Sequence, residues 1–536
     1  MSGQVFGIDL GTTYSAVAVI NDFDQAEIVK NQYGQDTTPS VVYFDSDVAI
    51  VGAQAKSELI AEPDSGCALI KRHMGTEFPQ DFAGQTYSPE SMSGVILKEL
   101  ANAANRDRST PITKAVITVP AYFGVKEKEA TKQAGVIAGL DVVGILAEPI
   151  AAALSLGVRG EKRETILIYD LGGGTFDTTV MIAEPGNIEV VAVDGNRLLG
   201  GADWDEALAR VVIEKFRESA GLSEDPGEDP DFKNEILQQV EEKKKSLTAT
   251  QDVKILCRFE GAKENVAVTR AEFEAATVHL VAQTVEITQR VIDTAKEKSP
   301  GLTIDKLLLV GGSSRMPMVH NALTAAGFAP IPTDYDLSVA KGAAIYGEAI
   351  LSGAVPFETG DTSAAAGDGA GQPATNTEPK YFLGGAATLN IKNVLSRGIG
   401  IEFQREDGAG GRVDYIGFLV HANDPLPVDA TQDAGTAHDN QTGVCLKLYE
   451  QGGEVESEKI ADNRLLKEAE ITGLPPLPRG STIELMLSVS SEGLATLRAR
   501  EPVSGKELTL EANISVLTPE DVEIGKELVG GLQTRS

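Results

Sequence analysis

Two short stretches carry the residue types that a phosphate ligand requires. "GIDLGTTYS" runs from Gly7 to Ser15, and "YDLGGGTFD" runs from Tyr169 to Asp177. Each sets an Asp, Asp9 or Asp170, directly before Leu, small residues and Thr. Glycines at Gly11, Gly172, Gly173 and Gly174 let backbone N–H groups come close to a ligand with no Cβ in the way. Several N–H groups aimed at one point make an anion cradle. The hydroxyls of Thr12, Thr13 and Thr175 add donors. An Asp at a strand end can hold Mg²⁺ through water, because hard cations prefer oxygen ligands. Two such loops suit a polyphosphate gripped from both sides. One glycine-rich turn is a common connection, but two matching copies on separate halves are hard to assign to chance. The chain has neither a Gly-x-x-x-x-Gly-Lys-Ser/Thr loop nor a Gly-x-Gly-x-x-Gly loop after a strand, so those nucleotide folds lose their signature. A third stretch, "LLLVGGSSRMP" from Leu307 to Pro317, again reads as a strand entering a Gly-Gly turn.

The elements that must position these loops alternate. "QVFGIDL", "KAVITVPAYF" and "VVGILAEP" read as strands, and "KEKEATKQAGVIAG" reads as a helix. In "SPESMSGVILKELANAA", Ser88 is placed to N-cap a helix with Pro89 at its first position. Met92, Val95, Ile96 and Leu100 then recur at helical spacing. Residues 1–352 are therefore expected to form an α/β domain. "ETGDTSAAAGDGAGQPATNTEP" has almost nothing apolar to bury, so 353–380 reads as a Gly/Ala-rich flexible linker. In 381–515 the period falls to two. Ile483, Leu485, Leu487 and Val489 alternate with polar neighbours, and "SSEG" and "PVSG" mark turns, as in a small β-sandwich. Residues 516–536 leave room for one helix at most.

The composition narrows the function classes. The chain has 536 residues, 79 acidic against 47 basic, and a net charge of −32. Such a chain repels nucleic acid and anionic lipid at long range. Its three cysteines, Cys67, Cys257 and Cys445, lie far apart, with no Cys-x-x-Cys for zinc or redox work. The odd count fits a reducing compartment. No Lys or Arg precedes Lys30, and no apolar run nears the roughly 18 residues a bilayer crossing takes. The expectation is a cytoplasmic protein with no membrane partner.

The order DLGTT, DLGGGTFD, VGGSSRMP resembles the actin-like ATPase superfamily. "GIDLGTTYSAVAV", "VPAYF", "AEPIAAAL" and "VGGSSR" resemble the seventy-kilodalton heat-shock chaperones, as does "NRLLKEAEITGLPPLPRG" in the β-region. The resemblance implies two lobes of duplicated ribonuclease-H-like units, a β-sandwich for substrate, and ATP/ADP with Mg²⁺, with K⁺ as a further cation. It places Asp9, Gly11, Thr12, Thr13 and Tyr14 on phosphate and metal. Asp170, Gly172, Gly173, Gly174 and Thr175 face them, with Gly200 and Gly201 joining the phosphate set. Glu148 matches a carboxylate near the metal and the attacking water. Lys71 matches the lysine that reaches the γ-phosphate, where a nearby cation is chemically sensible. Glu241, Lys244, Lys245 and Thr248 fall on one helical face and resemble purine and ribose contacts. Gly311, Gly312, Ser313 and Arg315 resemble the opposite wall, and Asp336 the closing helix. The metal set implied is Asp9, Asp170 and Asp203.

Three departures qualify what is carried over. In "GNRLLGGADWD" the family's catalytic Asp appears as Asn196, which predicts slow hydrolysis, with Asp194 as a substitute. The family's acidic-leucine linker is replaced by the Gly/Ala-rich spacer, leaving Leu389, Ile391 and Val394 as the candidate coupling strip. The helical lid is missing from the pattern, which predicts weak, fast-exchanging binding of unfolded or extended polypeptide. A J-domain co-chaperone and a nucleotide-exchange factor follow from the resemblance alone. Two other readings stay open: a nucleotide-gated scaffold for one dedicated partner, and an actin-fold small-molecule kinase.

Overall fold

The computed structural model describes residues 4–106, 108–156, 162–354, 389–406, 411–490, 493, 495–512 and 517–536. Runs of buried Val, Ile and Ala build its first large sheet. Val5–Asp9 pairs antiparallel with Tyr14–Ile20, which pairs with Ala26–Ile28. On its other edge Val5–Asp9 runs parallel to Lys114–Val119, and that strand runs parallel to Asp141–Ala147.

The second large sheet repeats this plan strand for strand. Glu164–Leu171 pairs antiparallel with Phe176–Glu184, which pairs with Asn187–Asn196. Lys306–Val310 and then Pro330–Pro332 follow in parallel on the other edge. Each glycine loop is thus the turn of the first hairpin of its sheet. Duplication answers why Asp-Leu-Gly occurs twice.

Between the sheets, helix Ser338–Leu351 packs against helix Glu148–Ser155. The contact is as close as backbones allow: a Cβ on Gly342 would fall 1.7 Å from the Ala151 carbonyl oxygen. Helix Pro89–Asn105 starts as its sequence indicates, with Ser88 Oγ accepting from Ser91 N at 3.2 Å. Helices Gly201–Ala220, Pro230–Leu247 and Arg270–Lys298 cover the second sheet around one apolar core centred on Trp204, Phe216 and Phe273. None of the described helices is long and apolar enough to cross a membrane.

Residues 389–512 hold two four-stranded sheets, with orders Arg412–Val420, Ile399–Glu406, Val444–Gln451, Asn463–Ile471 and Val428–Gly435, Thr482–Val489, Ala495–Glu501, Lys506–Ala512. Their inward faces share one core, to which Ile483, Leu485, Leu487 and Val489 all contribute. The period-two reading therefore identified the buried face.

Most of the linker, 355–380, lies outside the described residues. The apolar strip just after it is docked. Asn390–Lys392 extends the second sheet by pairing parallel with Asn187–Glu189, with Leu389 and Val394 buried. Residues 517–536 give helix Pro519–Gly531 and also a strand, Gln533–Arg535, which pairs with Val48–Ile50. Three residues are too few to show a strand period, so the sequence offers only the helix.

The β-domain touches both sheet units. Asn423 Oδ1 accepts from Val193 N at 2.7 Å, and Arg290 Nη1 meets Glu454 at 3.1 Å. At the first unit, Arg464 Nη1 donates to the buried Glu127 at 2.6 Å, and Val125 N donates to the buried Glu450 at 3.1 Å. Arg397 Nη1 donates to the Gln451 carbonyl at 3.1 Å within the same cluster.

Candidate functional site

The two glycine loops meet. A Cβ on Gly173 would lie 2.0 Å from Thr13 Oγ1, and one on Gly174 would lie 2.3 Å from Thr12 Cγ2. Any larger residue would push the loops apart, which is the physical reason for glycine here. The loops close one side of a cleft of about 310 Å³, within the range of small-ligand sites. An outer mouth of about 770 Å³ shares Tyr14, Thr37, Lys245, Arg315 and Asp336 with it.

Both loops are braced from behind. Ser40 Oγ donates to the Gly11 carbonyl at 2.8 Å, and Ser40 N donates to the Thr13 carbonyl at 2.8 Å. On the other side, Gly201 N and Ala202 N donate to the Gly172 and Gly173 carbonyls at 2.9 and 2.8 Å. The first turn of helix Gly201–Ala220 therefore fixes the second loop.

Asp9, Lys71, Glu148 and Asp170 come together at the cleft floor. Lys71 and Glu148 are buried and paired at 2.6 Å. Burial works against the Lys71 charge, but Glu148 and then Asp9 more than offset it and hold its ammonium above the ordinary value. Burial, then the neighbouring Glu148, push the Asp9 carboxyl up to about 7, against the pull of Lys71. Asp170 is pushed well above its ordinary value by burial, Glu148 and Asp9. Acidic groups this crowded, with one lysine among them, favour an added cation.

Among the described residues, no three His, Cys, Asp or Glu side chains converge as direct ligands of one metal ion. Asp9 and Asp170 suit a hydrated cation held through water. Asp203 stands elsewhere. Its Oδ2 accepts from Arg72 Nη2 at 2.9 Å and from Gly200 N at 2.8 Å, and it caps its own helix. Gly174 and Gly200 support the second loop without lining the cleft. Asn196 also lies off the cleft wall. Its Oδ1 accepts from Leu198 N at 2.8 Å, a local turn contact. Asp194 is committed to Arg290 at 2.5 Å.

Glu241, Lys244, Lys245 and Thr248 all line the cleft from helix Pro230–Leu247 and its C-cap. Lys244 Nζ is spent on the Gly201 carbonyl at 2.6 Å and Asp205 at 2.8 Å. Glu241 reaches across to the first unit, accepting from Tyr14 OH at 2.9 Å and pairing with Lys56. Lys245 Nζ donates to Tyr14 OH at 2.9 Å and pairs with Glu241 at 3.0 Å. On the far wall Gly311, Gly312 and Ser313 line the cleft beside Arg315. The Arg315 guanidinium lies 4.4 Å from the Tyr335 ring centre and pairs with Asp336 at 2.7 Å.

Sequence reasoning assigned no role to Asp177, Asp205, Lys56 or Tyr335. Asp177 is the register partner of Asp170 across the second hairpin. It is buried, and burial, Glu148 and Asp170 push its carboxyl well above the ordinary value. The signal was present: residues opposite one another in an antiparallel pair share a face. In the first hairpin the partner of Asp9 is Ala16, so the duplicated motif is not chemically symmetric.

A duplicated α/β framework closing two glycine loops over an acidic, lysine-containing cleft, with a β-domain attached, defines a two-part protein with the cleft in its α/β part. The family model described as Hsp70 protein matches residues 5–85, 79–362 and 391–526, and the chain belongs to that family. The family implies an actin-like ATPase fold followed by a β-sandwich. It also points to ATP-binding chaperone function, with ATP or ADP and Mg²⁺ as typical ligands and unfolded polypeptides and co-chaperones as general partners.

Proposed function

We propose that the two sheet units are the lobes of the actin-like fold, and that the cleft between them binds and hydrolyses ATP. We assign the β-domain to extended polypeptide, held by strand-like hydrogen bonds and side-chain pockets. The observation that carries the reading is the abutment of Gly173 and Gly174 on Thr13 and Thr12 above Asp9, Lys71, Glu148 and Asp170. Backbone N–H groups of the loops cradle the phosphates. Lys71 supplies positive charge where the transferring phosphoryl group develops negative charge. Glu148, fixed by Lys71, orients the attacking water. Glu241, Lys245 and Arg315 flank the nucleoside. Asp9 and Asp170 would hold Mg²⁺, which would supply charge neutralisation of the phosphate oxygens.

Because Asn196 Oδ1 accepts from Leu198 N and Asn196 does not line the cleft, the reading does not require slow hydrolysis. Single-turnover hydrolysis tests it. Wild type should turn over ATP measurably, and Lys71→Met should abolish most of that rate. Equal rates would reject the assignment of the floor.

A second reading, nucleotide-gated binding of one dedicated partner, draws on the seating of the β-domain against both units. ATP affinity measured with and without a model unfolded peptide separates the two, because coupling is reciprocal. A small-molecule kinase has no use for the attached β-domain.

A further inference from the structure

We propose that residues 517–536 act as a strap that keeps the β-domain seated on the first unit whichever nucleotide fills the cleft. The strap has an apolar stripe at helical spacing. Val529 and Gly525 are buried, and Leu517, Val522, Leu528 and Leu532 pack beside them onto the first unit's core. The approach is close: a Cβ on Gly525 would lie 3.0 Å from Ile137 Cδ1.

Both ends of the strap helix are tied to the first unit. Gln133 Nε2 donates to the Leu517 carbonyl at 3.2 Å before the helix. Lys98 Nζ donates to the carbonyls of Val529, Gly530 and Leu532 at 2.7, 3.1 and 2.9 Å after it. A cation there satisfies orphan carbonyls and the negative end of the helix dipole. Gln533–Arg535 then adds a strand beside Val48–Ile50. Strand addition uses main-chain hydrogen bonds and so holds without a particular side chain.

The geometry turns this contact into a restraint. The β-domain's last strand ends at Ala512, five Cα steps before Leu517. Five steps of fully extended chain reach about 18 Å at most. At its other end the β-domain is tied to the second unit by Asn390–Lys392. A domain tethered at both ends by short chain rebinds at high effective concentration. None of these contacts involves a residue lining the nucleotide cleft. The proposal goes beyond the nucleotide reading, and ATP affinity measured on the same samples separates failure of the one from failure of the other.

The test uses the full chain with distance labels at two exposed positions, Phe23→Cys in the first unit and Val503→Cys in the β-domain, with Cys445→Ser. Pulsed electron spin resonance should give one narrow distance, unchanged without nucleotide, with ADP and with ATP. Deleting 517–536 should raise the undocked fraction at least about tenfold without nucleotide. If the deletion misfolds, Val529→Asp releases the helix at full length and should do the same. Full chains that undock with nucleotide state as the released variants do, or released variants that stay docked, would overturn the proposal. So would light scattering that shows a dimer lost on deletion, because the strap would then act between copies.

Discussion

Two buried charge clusters both reach the Tyr122 backbone, whose N donates to Asp177 Oδ1 at 3.3 Å and whose carbonyl accepts from Arg397 Nε at 3.5 Å, and they are built on different principles. At the cleft floor Asp9, Glu148 and Asp170, with Asp177 buried opposite Asp170, share a single lysine, Lys71. At the β-domain contact, Glu127 and Glu450 meet Arg397 and Arg464, with Arg197 3.8 Å from Glu127. In the first cluster burial and like charge push Asp9, Asp170 and Asp177 upward. In the second, burial disfavours the Glu127 charge, but Arg397 and Arg464 outweigh it and hold Glu127 below its ordinary value, while burial and then Glu127 push the neighbouring Glu450 upward against the same two arginines. A buried cluster short of positive charge marks where a ligand cation belongs. A cluster supplied with its own counter-charge marks a joint between domains.

Breaking the joint should cost the most stability. Arg464→Met leaves Glu127 with the more distant Arg197 and with Arg397, and should destabilise the chain by about 3 kcal/mol in urea unfolding. ATP affinity should stay unchanged. If affinity falls in step with stability, the two clusters are not separable. At the floor, Lys71→Met should slow single-turnover hydrolysis about 10²–10³-fold, and because it leaves the buried Glu148 without its cation it should also lower stability in urea unfolding.

A third charge cluster lies between these two in kind, because Glu241 crosses the cleft to reach Lys56. Burial opposes its charge, but Lys56 and Lys245 lower its carboxyl from 4.5 to about 2. Its contribution to stability is therefore complete above pH 4.5 and lost as pH falls toward 2. Glu241→Gln should lower stability at neutral pH by about 1–2 kcal/mol and flatten the acid limb in that window. An unchanged acid limb would show that the pair does not hold the cleft. The smallest effect belongs to Asn196→Asp. Its rate should stay within about twofold of wild type, because the side chain serves a turn off the cleft. A large gain would restore Asn196 to the catalytic set.

Much of this was legible from residues close in sequence. The paired Asp-Leu-Gly loops, the Ser88 cap and the alternation Ile483, Leu485, Leu487, Val489 each carry their signal within a dozen residues. Asp177 sat inside a quoted motif and was passed over, because its role depends on register with Asp170 and not on spacing along the chain. Asp203 and Asn196 show the opposite case. Both match a motif position, yet the first is taken by Arg72 and the second by its own turn. The joint of Glu127 with Arg464 unites residues 337 positions apart and has no local pattern. The same holds for the pairing of Gln533–Arg535 with Val48–Ile50, where three residues carry too little sequence to announce a strand.

The central claim is that the acidic floor awaits a cation that arrives with a polyphosphate. Titration calorimetry with ATP at neutral pH, once with excess Mg²⁺ and once with EDTA, tests it most directly. The account predicts one-site binding with Mg²⁺ and at least about tenfold weaker binding without it. Absence of binding in both, or equal affinity in both, would contradict it.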